Sequence, residues 1–379
     1  MTGKLSASVI EYFGSDGGHE CGYCKGTDTN HSHGMWAHSM SIQDYEKLIN
    51  RGWRRSGNYC YKPAMKITCC PQYTIRCNAK DFVLNNSHKK VLKKVKNYMI
   101  QDRTIKLVGK PKFKKTLEDF ITLDQLNCSH DLTVKLVDLS SAEFQSSMMV
   151  TFKLYQKYQT VIHKDKEDQC SIEQFKRFLV MSPLQKSKPK SGLDIEYGSF
   201  HQQYWIDGKL VAVGVIDILS TCLSSVYFFY DPDYSFLSLG TYASLREIAY
   251  IRQLAKQDPN FCWYYLGFYI HSCPKMFYKG QYKPSYLLCP EKYTFQPFSE
   301  SVLKLNENKY SILDTETDSL NSSEDKPEVT ILFQRRIMSY NSYSSMKPLD
   351  DQEIQEIKGY SKLVGKDCSL GMLLYRSSN

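Results

Sequence analysis

Apolar and polar positions alternate with two different periods along the chain. In SIQDYEKLINRG, Ile42, Tyr45, Leu48 and Ile49 recur at helical spacing, with Ser41 before them, Asp44 three residues on and Gly52 after, so a capped helix is predicted there. A second helix is predicted from about Ser87, with Val91, Leu92, Val95, Tyr98 and Met99 on one face and lysines on the other. Between them, RRSGNYCYKPAMKITCCPQYTIRC is rich in β-formers and turn residues and reads as short strands and loops. Periodicity fades from Gln101 to about Cys128, where GKPKFKK has the composition of a linker. It returns in DLTVKLVDLS, where Leu132, Val134 and Leu136 alternate with Thr133 and Lys135 as in a half-buried strand. Helices from Glu143 to about Gln159 and from Ser171 to Val180 are predicted next, followed by the loop SPLQKSKPKSGLDI.

The stretch from Ser199 to His271 carries the clearest pattern. HQQYWIDGKLVAVGVIDIL reads as two strands joined by Asp207-Gly208, a pair suited to a tight hairpin turn. SSVYFFYD is a third strand, DPDYSFLSLG a loop, TYASLREIAYIRQLAKQ a helix and WYYLGFYIH a further strand. Three strands, a helix and a strand in this order predict an α/β (α+β) fold resembling the GNAT acyltransferases. The expected organisation is an N-terminal unit over residues 1–100, a basic linker over 101–128 and a GNAT-like domain over 129–379, with a mobile polar loop near 314–328.

Composition narrows the class. A chain of 379 residues with 28 Tyr and 18 Phe can build sizeable cores, which excludes a disordered protein. No apolar run reaches bilayer length and no signal-peptide pattern opens the chain, so a cytoplasmic and nuclear protein without a membrane partner is expected. Thirteen cysteines in such a chain point to free thiols and metal ligands rather than a disulfide framework. The net charge of +9 is concentrated: between Ser87 and Lys115 there are eleven Lys or Arg residues and one acid, Asp102. That density suits phosphate backbones, with Lys89, Lys90, Lys93, Lys94 and Lys96 as the candidate nucleic-acid-contacting set; a solvated helix face is the plainer alternative.

ECGYCKG places Cys21 and Cys24 at metal-ligand spacing, and ITCCPQYTIR adds Cys69 and Cys70, completing four thiolates for zinc or an iron-sulfur cluster. Both neighbours can ligate only if the backbone turns at Pro71. Cys60, Cys77, His31, His33 and His38 are spare ligands. These stretches, together with MWAHSM, RGWRRSGNYCYKP, SHKKVLKK, GSFHQQYWIDGKL, SSVYFFYDPDYSFLSLG, LREI and GFYIHSCPKMFYKGQY, closely resemble the arginyl-tRNA-protein transferases over nearly the whole chain. The basic linker and the polar loop look shorter than in many members.

The resemblance implies an enzyme that takes arginine from Arg-tRNA and attaches it to the α-amino group of proteins beginning with Asp, Glu or oxidised Cys, creating a degradation signal for a ubiquitin pathway. It also implies that Cys21, Cys24, Cys69 and Cys70 hold a metal, as an iron-sulfur cluster or zinc. Aminolysis of an ester is downhill, so positioning should dominate. Asp231 and Asp233 are the expected partners of the arginine side chain, because a guanidinium needs carboxylate acceptors; an ordinary turn around Pro232 is the alternative. The backbone N–H groups at Gly240 and Thr241 are expected to meet a phosphate or carbonyl, and His271 to accept the amine proton, with a structural hydrogen-bonder as the alternative for this histidine. Cys273 is read as a packing residue. The acidic first residue of the acceptor needs a cation, with Arg54, Arg55, Lys62, Arg76, Lys275, Lys279 and Lys283 as candidates. A zinc-containing GNAT acetyltransferase and a non-catalytic tRNA-binding protein are the competing readings; SFLSLG, with one glycine, weakens the first.

Overall fold

The computed structural model describes residues 7–100, 115–122, 128–189, 192–316 and 327–377. Most of the basic linker and residues 317–326 of the expected polar loop lie outside the described residues. Within the linker segment, Leu117–Ile121 is a helix whose start is closed by Thr116 and Asp119 in a reciprocal capping box.

The protein is mixed α/β, built on two mixed sheets. One has seven strands in the order Arg336–Ser339, Thr330–Phe333, Leu373–Arg376, Val9–Ser15, Ser32–Ser39, Tyr59–Pro63 and Arg54–Ser56. The other has eight: Phe295–Pro297, Ser285–Leu288, Tyr73–Asn78, Trp263–Tyr269, Cys222–Tyr230, Lys209–Ile218, Gly198–Ile206 and Leu132–Asp138. The first hundred residues therefore contribute to both sheets, because Tyr73–Asn78 pairs between Trp263–Tyr269 and Ser285–Leu288. Leu373–Arg376, from the far end of the chain, runs parallel to Val9–Ser15.

Local signals are obeyed. Ser41 accepts from the Asp44 N–H and starts the helix Ile42–Ile49, whose Ile42, Tyr45, Leu48 and Ile49 are buried. Asp207 and Gly208 adopt φ of +48° and +75°, the two left-handed positions that a tight hairpin turn requires. The predicted helices fall at Ala142–Tyr158 and Leu239–Leu254, the second lying in sequence between the third and fourth strands of the Ser199–His271 run. Arg55 ties the two sheets together: its Nε and Nη2 donate to Asp217 at 2.8 and 2.5 Å, with both side chains buried. Among the described residues no helix is long and apolar enough to cross a membrane.

Candidate active site and metal centre

The strands Cys222–Tyr230 and Trp263–Tyr269 run parallel, but their pairing ends at Ser224 and Tyr265. Gly267 has φ +68° at the point where Trp263–Tyr269 also shifts register against Tyr73–Asn78, so the strand turns away there. The separation opens two adjoining cavities. One of about 440 Å³ lies between Ser225–Phe228 and Leu266–Phe268 and is bordered by Tyr23, Arg54 and Lys279. The other, about 370 Å³, is bordered by Ser238, Gly240, Thr241, Ser244 and Tyr264. Tyr158, Ser225, Phe228, Leu266 and Tyr278 line both.

The cations divide by environment. Arg54 is buried, donates only to the carbonyls of Ile49, Trp53 and Gly267, and leaves Nε without a partner. Lys279 donates to the Phe268 carbonyl at 2.6 Å, and burial followed by the nearby Arg54 charge lowers its pKa to about 7. Neither has an ion-pair partner among the described residues. Arg55, on the same cavity, is neutralised by Asp217 and also donates to Ser199. Lys62 sits apart, donating to the Arg51 carbonyl and to Tyr293 at 3.3 Å, and Arg76 is sandwiched between Trp263 and Phe295 with 3.6 and 3.5 Å to the ring centroids. Lys275 and Lys283 are exposed. Of the seven candidate cations, Arg54 and Lys279 are the two that border the cavity between the splayed strands without an ion-pair partner among the described residues.

The second cavity has a helix start as one wall. Ser238, at φ +55°, precedes the helix Leu239–Leu254 without capping it through its side chain, so the first-turn N–H groups at Leu239, Gly240 and Thr241 lack helical acceptors. Such a terminus favours phosphate and carbonyl oxygens.

Asp231 and Asp233 border neither cavity. Asp231 is buried, accepts from Lys157 at 2.5 Å and Lys209 at 2.8 Å, and caps the turn Pro232–Leu237 through the Asp233 N–H. Asp233 is exposed and accepts from Lys157 at 2.7 Å. These hydrogen bonds outweigh burial and hold Asp231 below the usual carboxylate range. Its stabilising contribution is therefore present above pH ~4, the unfolded carboxylate value, and is lost as pH falls through its lower folded value. Asp231→Asn is expected to lower stability by about 1–2 kcal/mol in urea titrations at pH 7, with the difference shrinking on acidification. A normal melt with a large loss of transfer would instead make Asp231 a partner of the substrate. His271 is also engaged on both ring nitrogens, with Tyr269 at 3.0 Å and Asn306 at 2.9 Å, and borders neither cavity. Cys273 packs against Cys21, Cys70 and Ile270.

The candidate metal centre, a cluster of four cysteines, lies beside the first cavity. The chain from Cys21 to Gly26 folds back on itself, the Cys21 N–H donating to the Gly26 carbonyl and the Lys25 N–H to the Cys21 carbonyl, both at 2.9 Å. The backbone bends at 68–70, and the Cys69 N–H donates to Thr29 at 2.9 Å, so adjacent cysteines reach the same point. The sulfurs of Cys21, Cys24, Cys69 and Cys70 lie within 4.8 Å of one another, with Cys24 and Cys69 at 3.4 Å. A tetrahedral ion with bonds of ~2.3 Å places sulfurs ~3.8 Å apart, so the four residues fit a metal. Cys60 and Cys77 are buried in the main core, and His31, His33 and His38 lie outside the cluster. Tyr23, between the first two cysteines, borders the cavity; sequence reading overlooked it, although a residue inside such a ligand loop has its position fixed by the ion.

The basic helix spans Asn86–Ile100, buries His88, Leu92, Val95 and Met99, and leaves Lys90, Lys93 and Lys94 exposed and Lys89 and Lys96 half-buried.

Comparison with known proteins places this geometry. The family profile for the N terminus of arginine-tRNA-protein transferase matches residues 19–90, and that for its C terminus matches residues 150–289. Arginyl-tRNA–protein transferase 1 of Drosophila melanogaster is 36% identical, covering 97% of this chain and 99% of that protein. Arginyl-tRNA–protein transferase 2 of Arabidopsis thaliana is 29% identical over 82% of this chain and 78% of its own. An aspartate/glutamate leucyltransferase of Acinetobacter baumannii is 26% identical over 78% of this chain and 89% of its own. A solved lysylphosphatidylglycerol synthetase domain from Agrobacterium fabrum aligns with a TM-score of 0.29 and 10% identity over 53% of this chain and 48% of that one, too low to bear on the fold.

Proposed function

From the premise that the chain belongs to the arginine-tRNA-protein transferase family, we propose that it moves arginine from Arg-tRNA to the α-amino group of proteins that begin with Asp, Glu or oxidised Cys, in the cavities between the splayed strands. The observation that carries the reading is the pair Arg54 and Lys279, two cations without carboxylates on one cavity wall, suited to an acidic side chain. The Acinetobacter relative is named for the same acceptor residues with leucine as the donor, which favours an acceptor site common to both chains. The adjoining cavity, with its uncapped helix start, suits the aminoacylated 3′ end of tRNA. The order of strands and helix on either side of the splay supports a GNAT-like arrangement for this half of the molecule.

In this reading the acceptor amine meets the ester where the two cavities join, beside Tyr158, Ser225 and Tyr278. A C–N bond forms at the arginyl carbonyl as the C–O bond to the ribose breaks, and the ribose oxygen leaves with a proton. A free α-amino group has a pKa of ~8, so near neutrality an appreciable share is already nucleophilic and alignment supplies most of the acceleration. Bound at the four cysteines, zinc or an iron-sulfur cluster supplies a cross-link between the Cys21–Gly26 loop and Cys69–Cys70. The compact sulfurs favour a single tetrahedral ion, since thiolates that cap a cubane from outside stand farther apart. The cysteines thereby keep Tyr23 on the cavity wall.

Purified protein mixed with labelled Arg-tRNA and two peptides, one beginning with Asp and one with Ala, tests the reading. Transfer to the first alone supports it. Salt-dependent tRNA binding without turnover would make this an RNA-binding protein, and acetyl-CoA turnover an acetyltransferase. The exposed lysines of Asn86–Ile100 are proposed to contact tRNA phosphates. Replacing Lys90, Lys93 and Lys94 with Ala should reduce the slope of log Kd against log salt by roughly 0.7–0.9 for each phosphate that is no longer neutralised. An unchanged slope would leave them as a solvated face.

A further inference from the structure

Glu247 is a buried acid behind the wall of the tRNA-side cavity, bonded to two residues that line it, and the transfer chemistry above makes no use of it. It sits on the helix Leu239–Leu254 at 1% exposure. Tyr264 donates to its Oε2 at 2.6 Å, and Ser225 is its second hydroxyl partner. On its other side Gly214 makes room for it: a Cβ there would stand 3.2 Å from Oε1. The titratable groups facing it are the phenols of Tyr204, Tyr264, Tyr278 and Tyr282; Arg246, next in the chain, donates to Tyr242 at 3.2 Å. No ion pair to Glu247 occurs among the described residues.

Both residues whose hydroxyls serve Glu247 also border the cavity. A hydroxyl has one proton and two lone pairs. When Tyr264 and Ser225 each donate inward to a carboxylate, their protons are committed and their oxygens can only accept; Ser244, itself on the cavity wall, is a second partner of the Tyr264 oxygen, which leaves that oxygen one further lone pair. The wall then accepts hydrogen bonds and carries a negative charge behind it. A guanidinium is the complement: five N–H donors, no acceptor and a permanent positive charge. A neutral aliphatic side chain gains nothing from such a wall.

We propose that Glu247, acting through Tyr264 and Ser225, makes the tRNA-side cavity selective for the guanidinium of the incoming arginyl group. Glu247 is a positioning residue in this scheme. The inference rests on the proposed transferase activity and names the feature that would separate an arginine donor from a leucine donor.

The test compares tRNA charged with arginine and the same tRNA charged with citrulline, the neutral isostere, with the Asp-starting peptide as acceptor. The preference of the wild-type protein for arginine should fall by ~10–100-fold in Glu247→Gln, the range for hydrogen bonds to a charged group, and mostly through KM. Burial raises the Glu247 carboxyl to about 7, so the wild-type preference should grow as pH rises through about 7 and the Glu247→Gln profile should be flat. Tyr264→Phe, which keeps the ring and removes the hydroxyl, should reduce the preference too and decides the matter if Glu247→Gln fails to fold. Wild-type transfer of arginine with an unchanged arginine-to-citrulline ratio in both variants overturns the inference and leaves the activity standing. No transfer by the wild-type protein to either peptide overturns both.

Discussion

Cys70→Ser is expected to remove the metal and, with it, most of the transfer activity, although no cysteine borders either cavity. The region around the four sulfurs has little apolar burial of its own: Cys21, Cys70 and Ile270 are its buried residues, with Cys69, Cys273 and Met276 against them. So small a cluster cannot hold the Cys21–Gly26 loop in place, whereas a structural ion binding four thiolates contributes ~10–16 kcal/mol in zinc-finger peptides. Loss of the ion frees the loop, and Tyr23 leaves the wall opposite Arg54. Metal analysis should show one equivalent falling to about a tenth or less. Transfer to an Asp-starting peptide should fall by roughly a hundredfold, chiefly in KM for the acceptor, while tRNA binding, proposed to run through the lysines of Asn86–Ile100, holds. The wild-type spectrum separates the two metal readings, because thiolate-bound iron-sulfur clusters absorb in the visible and zinc does not. Full metal content and full activity in Cys70→Ser would sink the cross-linking role.

What the sequence made legible follows from where the information lies. Ser41 with Asp44, Asp207 with Gly208 and the β-formers of DLTVKLVDLS act within a few residues and each forms its element, but in Leu132–Asp138 the buried face is not the one the alternation predicts: Leu136 is exposed and Val137 is buried, because the strand is the outermost of its sheet and only part of it is covered. The four cysteines were equally readable, since thiolates in pairs have few other uses in such a chain. Pairing across long distances leaves no local trace, so the insertion of Tyr73–Asn78 beside Trp263–Tyr269 and the return of Leu373–Arg376 to Val9–Ser15 could not be read. The same limit applies to charge. Arg54 and Arg55 are neighbours on one strand, yet Asp217, distant in sequence, neutralises one of them only. Asp231 carried identical local signals for a cap and for a guanidinium partner, and the lysines that engage it come from other elements. Glu247 had a usable signal: an acid among Leu245, Ile248 and Ile251 on the buried face of its helix.

Arg54→Gln is expected to weaken discrimination in favour of acidic acceptors sharply without unfolding the protein. Arg54 is buried beside Phe268 and Tyr265, with guanidinium-to-ring distances of 5.1 and 5.7 Å, and three carbonyls are its acceptors. A buried cation without an anion costs stability, so its natural compensation is a ligand carboxylate. Glutamine retains a donor for one carbonyl and removes the charge; the melting temperature should move by a few degrees at most. An acidic first residue would then enter the cavity with Lys279 as the remaining cation. Losing about 3 kcal/mol of charged pairing corresponds to roughly a hundredfold in kcat/KM for an Asp-starting peptide, with an Ala-starting peptide unaffected. Lys279 adds a pH signature. Burial, and after it the Arg54 charge, lowers it to about 7 in the wild-type protein; the variant removes the second cause and a bound carboxylate favours the charged form, so Lys279 then stays charged to a higher pH. In Arg54→Gln the ratio of Asp to Ala transfer should therefore decline only as pH rises above about 7, while adding Lys279→Arg, always charged, should flatten the trend. Taking the ratio cancels the deprotonation of the acceptor amine, which is common to both peptides. Equal losses on the two peptides, or a collapsed melt, would show that Arg54 serves the fold and that the acidic side chain is read elsewhere.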